Sequence, residues 1–428
     1  MKKILPLTQG LRRGIEIPGD KSISHRSIIL SSLGASTVEV SNFLAGADCM
    51  STVACMRALG AKIEQAGKNL LITGCGLHEP ENVLDAGNSG TTLRLLMGLL
   101  ASQKFLTTFT GDDSLRRRPM ARVITPLKKA GASIFGRNDN KNLPITILPA
   151  EKKLRGITYE MPVASAQVKS ALLLAGLYAE TPTTVIEPAP SRDHSEKMLE
   201  AFGAKLEKVG NAIKIFPTEK LIAPEKISVP GDISSAAYWI VLATILDGSD
   251  VTIINVGVNE TRTGILDVLK SMGAKIEIFN ERTSGGERAA DLKIFSSKLR
   301  GIEFGGEIIP RLIDEIPALA VAAAFAEGTT IIHDVGELRV KETDRLAAIV
   351  EEFNKISPDT FSATGDSLII RGGKKKFFAE CKTRADHRMA MSLAIFGAAA
   401  EGVTIDDADC VKISYPDFFD TLIFGTED

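Results

Sequence analysis

The stretch "IPGDKSISHRSI" (17–28) sets Lys21, Ser22, His25 and Arg26 close together, directly before an apolar run. An ammonium, a hydroxyl and a guanidinium spaced by about one helical turn can face a single anion, with Ser22 as the expected helix N-cap and Lys21 just outside it. The glycines do not make a nucleotide loop. A polyphosphate cradle needs lysine directly after its second glycine, but Asp20 separates Gly19 from Lys21, and Pro18 has no N–H to offer. A second anion-directed start is "GNSGTTLR" (87–94), a glycine-rich approach to a helix in which Gly90 leaves backbone N–H groups open to a ligand. In "GDDSLRRRPM" (111–120) the proline holds Arg118 in an extended backbone.

Further along, "SAQVKS" (165–170) and "SRDHSEKML" (191–199) supply Ser165, Gln167 and Arg192 as neutral and cationic partners for oxyanions, while His194 reads as a capping or surface residue. Asp314 and Glu315 in "IDEIPALA" suit a helix N-terminus, and "RVKETDRL" and "TRADHRMAM" bring Lys341, Glu342, Arg345 and Arg388. Taken singly, each run is an ordinary solvated or salt-bridged face. As a set they are not ordinary, because Lys21, Arg26, Arg118, Arg192, Lys341, Arg345 and Arg388 gather in polar segments of a chain whose net charge is −2. Arginine forks match carboxylate and phosphate geometry. The implied ligand has several anionic groups, or there are two ligands, with Asp314 and Glu342 as acid/base candidates. No nucleophile–base triad, metal-ligand set or dinucleotide fingerprint is found.

The near balance of 51 Lys and Arg against 53 Asp and Glu excludes a nucleic-acid or membrane-surface protein that binds through a summed positive field. Five cysteines without C-x-x-C spacing and five histidines support neither a disulfide framework nor structural zinc, so a reducing cytoplasm and no metal are expected. "MKKILPLTQG" is too short an apolar run for a signal peptide, and a soluble, untargeted protein is expected. At 428 residues, two domains are expected from size.

The elements that must position these residues repeat. "ALGAKIE" (58–64), "KAGASIF" (129–135), "AFGAKLE" (201–207) and "SMGAKIE" (271–277) place glycines at 60, 131, 203 and 273, each reading as helix, glycine C-cap, then strand. Six small-residue, nearly all-apolar helices follow polar openings at 20–34, 87–102, 164–179, 231–246, 312–328 and 385–402. Such helices are buried and approach closely through Ala and Gly. The preambles "IPGDKS" and "VPGDIS" put Pro18 and Pro230 about half the chain apart, which predicts two halves of three units. Alternating runs such as "TVEVSNF" (37–43), "ITILP" (145–149), "DVTIINV" (250–256) and "TTIIHDV" (329–335) supply strands, giving an α/β chain.

In order along the chain, "PGDKSISHRSI", "GNSGTTLR", "RRRPM", "SAQVKSALLLAG", "DEIPALA", "RVKETDRL" and "DHRMAM" resemble the motifs of the 5-enolpyruvylshikimate-3-phosphate synthase family, from about residue 6 to 422. The resemblance implies two similar domains, each of three βαβαββ units with buried parallel helices, an inside-out α/β barrel with its active site in the interdomain cleft. The expected domains are 19–228 and 1–18 plus 229–428, the N-terminal strand joining the second. The implied reaction transfers the enolpyruvyl group of phosphoenolpyruvate to the 5-hydroxyl of shikimate 3-phosphate and releases phosphate, without metal or organic cofactor, in a cytoplasmic monomer. Residue by residue, the resemblance assigns Lys21, Ser22, Arg26, Ser165, Gln167, Arg192, Asp314 and Lys341 to shikimate 3-phosphate. It assigns Lys21, Gly90, Arg118, Gln167, Arg345 and Arg388 to phosphoenolpyruvate, and catalysis to Asp314, Glu342 and Lys21. Family members are inhibited by glyphosate, a phosphonate slightly longer than phosphoenolpyruvate, so Gly90 is expected to admit it. The chain departs from the family in "VKISYPDF" (411–418), where Ile413 takes the place of a lysine and Lys412 lies one position earlier. The related UDP-N-acetylglucosamine enolpyruvyl transferases carry a cysteine before the Arg-Pro and an asparagine after the first lysine; here 111–120 has no cysteine, and Ser22 follows Lys21. A non-catalytic anion or RNA-end binder would have no need of Asp314 and Glu342.

Overall fold

A computed structural model describes residues 1–218 and 220–423. Six helices share one character: α1 (Lys21–Leu33), α2 (Gly90–Leu100), α3 (Ala166–Gly176), α4 (Ile233–Ile245), α5 (Ile316–Phe325) and α6 (His387–Ala399). They are buried on almost every side. Even Ser24, Ser27, Ser31 and Ser32 of α1 are covered, and α5 is buried from Ile316 through Ala324. Small residues make this burial possible. A methyl on Gly98 of α2 would stand 2.1 Å from the Ala171 carbonyl oxygen of α3, so only hydrogen fits there.

The chain forms two compact units, Gly19–Pro230 with Thr283–Glu287, and Met1–Pro18 with Gly231–Arg282 and Arg288–Asp428. Each has its own hydrophobic core. In the first, Leu95, Leu96 and Leu99 of α2 join Ala171, Leu172 and Leu173 of α3; in the second, Trp239 and Ile240 of α4 join Leu319 of α5 and Phe396 of α6.

Five four-stranded sheets and one three-stranded sheet accompany the helices, and among the described residues no sheet closes into a barrel. The four-stranded sheets repeat one pattern. Thr37–Ser41 runs parallel to Lys226–Ser228 and antiparallel to Asn69–Thr73, with Lys62–Ala66 at the far edge. The parallel neighbour can be borrowed from far along the chain, as where Arg12–Glu16 pairs with Asp250–Gly257; in the three-stranded sheet Val403–Ile405 runs parallel to Ala379–Cys381 and antiparallel to Lys2–Ile4. The repeat glycines carry the positive φ angles that a helix C-terminus turning into a strand requires, 109° at Gly60, 106° at Gly131, 82° at Gly203 and 104° at Gly273.

Candidate active site

In the first unit the N-termini of α1, α2 and α3 carry the polar residues. Asp20, not Ser22, caps α1: its Oδ1 accepts the Ile23 N–H at 2.9 Å, and Lys21 is the first helical residue. Lys21 Nζ then reaches Asp48 Oδ2 at 2.5 Å. Arg26, one turn on, is almost wholly buried and donates to the Ser22 carbonyl (2.9 Å), Ser170 Oγ and Ser195 Oγ (both 2.7 Å). Burial pulls its pKa down to about 10, against the raising pull of Glu196, Asp20 and Glu287, while Arg192 adds to the depression; Arg26 is still charged at neutral pH. Arg192 lies just before the helix His194–Ala201, near enough for its charge to act on Arg26.

His194 is neither a cap nor a surface residue. It is buried, and its Nδ1 lies 2.7 Å from Glu287 Oε1. Next to it a deeper ion cluster forms, in which Lys169 of α3 bridges Glu187 (2.8 Å) and Glu196 (2.6 Å) with only 1% of its side chain exposed. Burial raises the pKa of Glu196, and Lys169 opposes that rise.

At the start of α2, Ser89 Oγ accepts the Thr92 N–H at 3.1 Å and Gly90 is the first helical residue. Two guanidinium groups converge there. A methyl built on Gly90 would lie 2.9 Å from Arg94 Nη1 and 3.5 Å from Arg118 Nη1. Arg118 has the extended backbone expected before Pro119, with ψ 139°, and donates to Asn88 Oδ1 at 2.7 Å. Arg94 donates to Gln167 Oε1 at 2.5 Å, and Gln167 Nε2 donates to Thr91 Oγ1 at 3.1 Å, so α2 and α3 share one polar clasp. Ser165 caps α3 through the Val168 N–H. Burial first, then repulsion from Arg122 and Arg118, lowers the Arg94 pKa to about 9. A buried cation beside like charges at a helix N-terminus is a site made for an anion. Arg94 stands in the quoted "GNSGTTLR", yet the sequence tally of cations passed over it.

In the second unit Asp314 lies two residues before α5, with Arg345 Nη1 at 3.3 Å, Arg388 Nη2 at 3.8 Å and Lys341 Nζ at 4.0 Å from its carboxylate. Arg345, with 1% of its side chain exposed, also holds Glu342 Oε2 at 2.6 Å and Asp386 Oδ2 at 2.8 Å. Asp386, absent from the sequence reading, caps α6 by accepting the Arg388 N–H at 2.8 Å and so links the two arginines. Glu315 stands at the N-terminal end of α5, as expected, and its Oε1 also accepts the Ser234 hydroxyl.

Burial would raise the Glu342 pKa, but Arg345, then His387 and Arg388, overcome that and pull it down to about 2 despite Asp314. Because 40% of the Glu342 side chain meets solvent, water screens part of that pull; the direction is what matters chemically. Glu342 is thus ionised at neutral pH. Lys412 lies apart from these groups in its contacts, pairing with Asp409 at 2.6 Å on the surface.

The model of the EPSP synthase family (3-phosphoshikimate 1-carboxyvinyltransferase) matches residues 7–422. A 3-phosphoshikimate 1-carboxyvinyltransferase of Thermoanaerobacter sp. (strain X514) is 53% identical over 415 residues, covering 96% of this chain and 97% of its own. One from Desulforamulus reducens is 52% identical over 427 residues, covering 99% of each. Among solved structures, an EPSP synthase from Acinetobacter baumannii aligns with a TM-score of 0.92 at 41% identity, over 99% of this chain and 98% of that one. The enolpyruvyl transferase NikO from Streptomyces tendae shares the fold at a TM-score of 0.80 and 17% identity, over 100% of this chain and 97% of that one.

Proposed function

The chain belongs to the EPSP synthase family, and from that premise we propose how its residues transfer the enolpyruvyl group of phosphoenolpyruvate to the 5-hydroxyl of shikimate 3-phosphate, the shikimate-pathway step of aromatic amino-acid biosynthesis. The observation that carries the reading is the pair of carboxylates, Asp314 and Glu342, set among Lys341, Arg345 and Arg388. A site that only held anions would gain nothing from carboxylates there. An acid/base pair inside an anion clamp serves a substrate that carries charge and must exchange protons.

Lys21, Ser22, Arg26, Ser165, Gln167 and Arg192 bind shikimate 3-phosphate in this scheme, and Asp314 accepts hydrogen bonds from its ring hydroxyls. The N-terminus of α2 at Gly90, with Arg118, Gln167, Arg345 and Arg388, binds phosphoenolpyruvate. C3 of phosphoenolpyruvate takes a proton, positive character develops at C2, and the 5-oxygen attacks C2 as its own proton passes to a base. The tetrahedral adduct then loses phosphate from C2 and a proton from C3, which restores the double bond and leaves the enol ether.

Glu342 serves the C3 proton, and substrate tunes it for that task. The cations that hold it ionised are those a substrate carboxylate would engage, and sharing them moves its pKa back up. Lys21 and Lys341 stabilise charge at the substrate oxygens. No covalent nucleophile is required. No described helix is long and apolar enough to cross a membrane, and the chain is proposed to act as a cytoplasmic monomer. Inorganic phosphate release from phosphoenolpyruvate, assayed with and without shikimate 3-phosphate, tests the reading. Release that requires both substrates supports it, and release without shikimate 3-phosphate, or none, overturns it.

A further inference from the structure

Three unusual features of the second unit meet behind the proposed phosphoenolpyruvate clamp. The helix that starts at Arg345 is interrupted after one turn: Ile349–Phe353 forms a π-helical turn, a local widening frequent at functional sites, before α-helix resumes at Asn354–Ile356. Just before α6, Arg384 (φ 57°) and Ala385 (φ 55°) are consecutive non-glycine residues in the left-handed region, which side chains rarely occupy. Backbone of this kind persists only where its surroundings hold it, and it gathers at functional sites. Third, Glu352 is a fully buried carboxylate on the π-helical turn, and it has no part in the chemistry proposed above.

The three features are one device. Glu352 Oε2 accepts the Lys382 N–H at 2.9 Å and Lys355 Nζ at 2.6 Å, while Oε1 lies 3.4 Å from Arg384 Nη2. The same guanidinium reaches Glu351 on that turn, and Thr383 is anchored through its N–H (2.8 Å) and hydroxyl (3.0 Å) to Asp406. The segment that carries Arg345 is therefore stapled to the strained segment that leads into Asp386 and Arg388. A regular α-helical turn would rotate Glu351 and Glu352 away from this position, since each residue of helix turns by about 100°.

We infer that Arg384 and Glu352 are positioning residues that fix the angle between Arg345 and Arg388, and so set affinity for the carboxylate of phosphoenolpyruvate without touching it. The inference rests on the functional reading above. Without the staple, the left-handed pair relaxes, Asp386 shifts on Arg345, and the two forks no longer converge on one planar anion.

Arg384 is partly exposed, so its replacement is compatible with folding, whereas Glu352 is buried. The test compares the parent chain with Arg384→Met and Arg384→Lys, measuring KM for phosphoenolpyruvate, kcat, and the Kd of shikimate 3-phosphate alone by calorimetry. Parent activity is established first, so that failure of the functional reading is separate from failure of this one. Arg384→Met is expected to raise KM for phosphoenolpyruvate roughly tenfold, equivalent to one weakened contact to a charged group, with the shikimate 3-phosphate Kd within about twofold. Arg384→Lys keeps the cation and recovers most of the loss. An unchanged KM in Arg384→Met, an equal weakening of both ligands, or no recovery with lysine overturns the inference.

Discussion

Adding one methyl at Gly90 probes the proposed anion site with little risk to the fold. Gly90 is the first residue of α2 and is not among the glycines with positive φ, so alanine fits the backbone and is the better helix former, by up to about 1 kcal/mol in a helix interior. The new carbon would lie 2.9 Å from Arg94 Nη1 and 3.5 Å from Arg118 Nη1. The first contact is too close and must open by a few tenths of an ångström. Arg94 can give way because it is the far end of a flexible side chain, but doing so stretches its bond to Gln167 Oε1. The methyl therefore acts on the guanidinium pair as well as on the ligand. One hydrogen bond to a charged group is worth about 1.5–3 kcal/mol, so Gly90→Ala should raise KM for phosphoenolpyruvate by roughly 10- to 100-fold. Glyphosate, being longer, should lose more. The assay is phosphate release at varied phosphoenolpyruvate and glyphosate, with shikimate 3-phosphate binding measured separately. Equal weakening of phosphoenolpyruvate and glyphosate, or no change in either, would refute the assignment of Gly90 to this site.

Glu342→Gln should cut kcat by roughly 10²-fold while leaving the shikimate 3-phosphate Kd nearly unchanged, and unaltered turnover would move the C3 proton to another group. Because the folded pKa of Glu342 lies below its ordinary value, its ionised form adds stability above about pH 4, and that stability is lost as pH falls towards 2; the denaturant midpoints of parent and variant should differ at pH 6 and converge in acid. Arg94→Met removes a buried cation whose folded pKa is depressed, a penalty present at pH 7 and relieved only as pH rises through about 9. It should therefore raise Tm in buffer without phosphate, and where the parent is expected to gain Tm in millimolar phosphate the variant should gain none. Lys169→Met strands Glu187 and Glu196 in the core and should cost about 3–5 kcal/mol in urea unfolding at pH 7. That deficit should shrink as pH drops and Glu196, whose folded pKa burial raises, is protonated.

The six buried helices, the strands and the repeat glycines were legible in the sequence because each depends on residues close in the chain. Only glycine readily takes φ of 82° to 109°, so Gly60, Gly131, Gly203 and Gly273 marked the helix ends. The functional side chains could be identified from motifs, but their partners could not. Arg345 meets Asp386 from 41 residues away and Lys169 meets Glu187 from 18, and nothing local distinguishes those carboxylates from solvated ones. The α1 cap was misread by two residues for a related reason. Asp20 and Ser22 are both good caps, and the choice turns on the exact entry of the chain into the helix, which the pairing of the Asp20 N–H with the Pro230 carbonyl at 2.7 Å sets from 210 residues away. His194 looked exposed because Glu287, its partner, is 93 residues distant.

The most direct test of the addition–elimination chemistry is to run phosphoenolpyruvate and shikimate 3-phosphate with the protein in deuterium oxide and to analyse the product by mass spectrometry and NMR. Protonation at C3 makes a transient methyl group, and elimination then removes one of its three hydrogens. The account predicts one inorganic phosphate per enol ether formed, with deuterium on the methylene carbon of the product. Phosphate released without the enol ether, or an enol ether whose methylene carbon carries no deuterium, would contradict it.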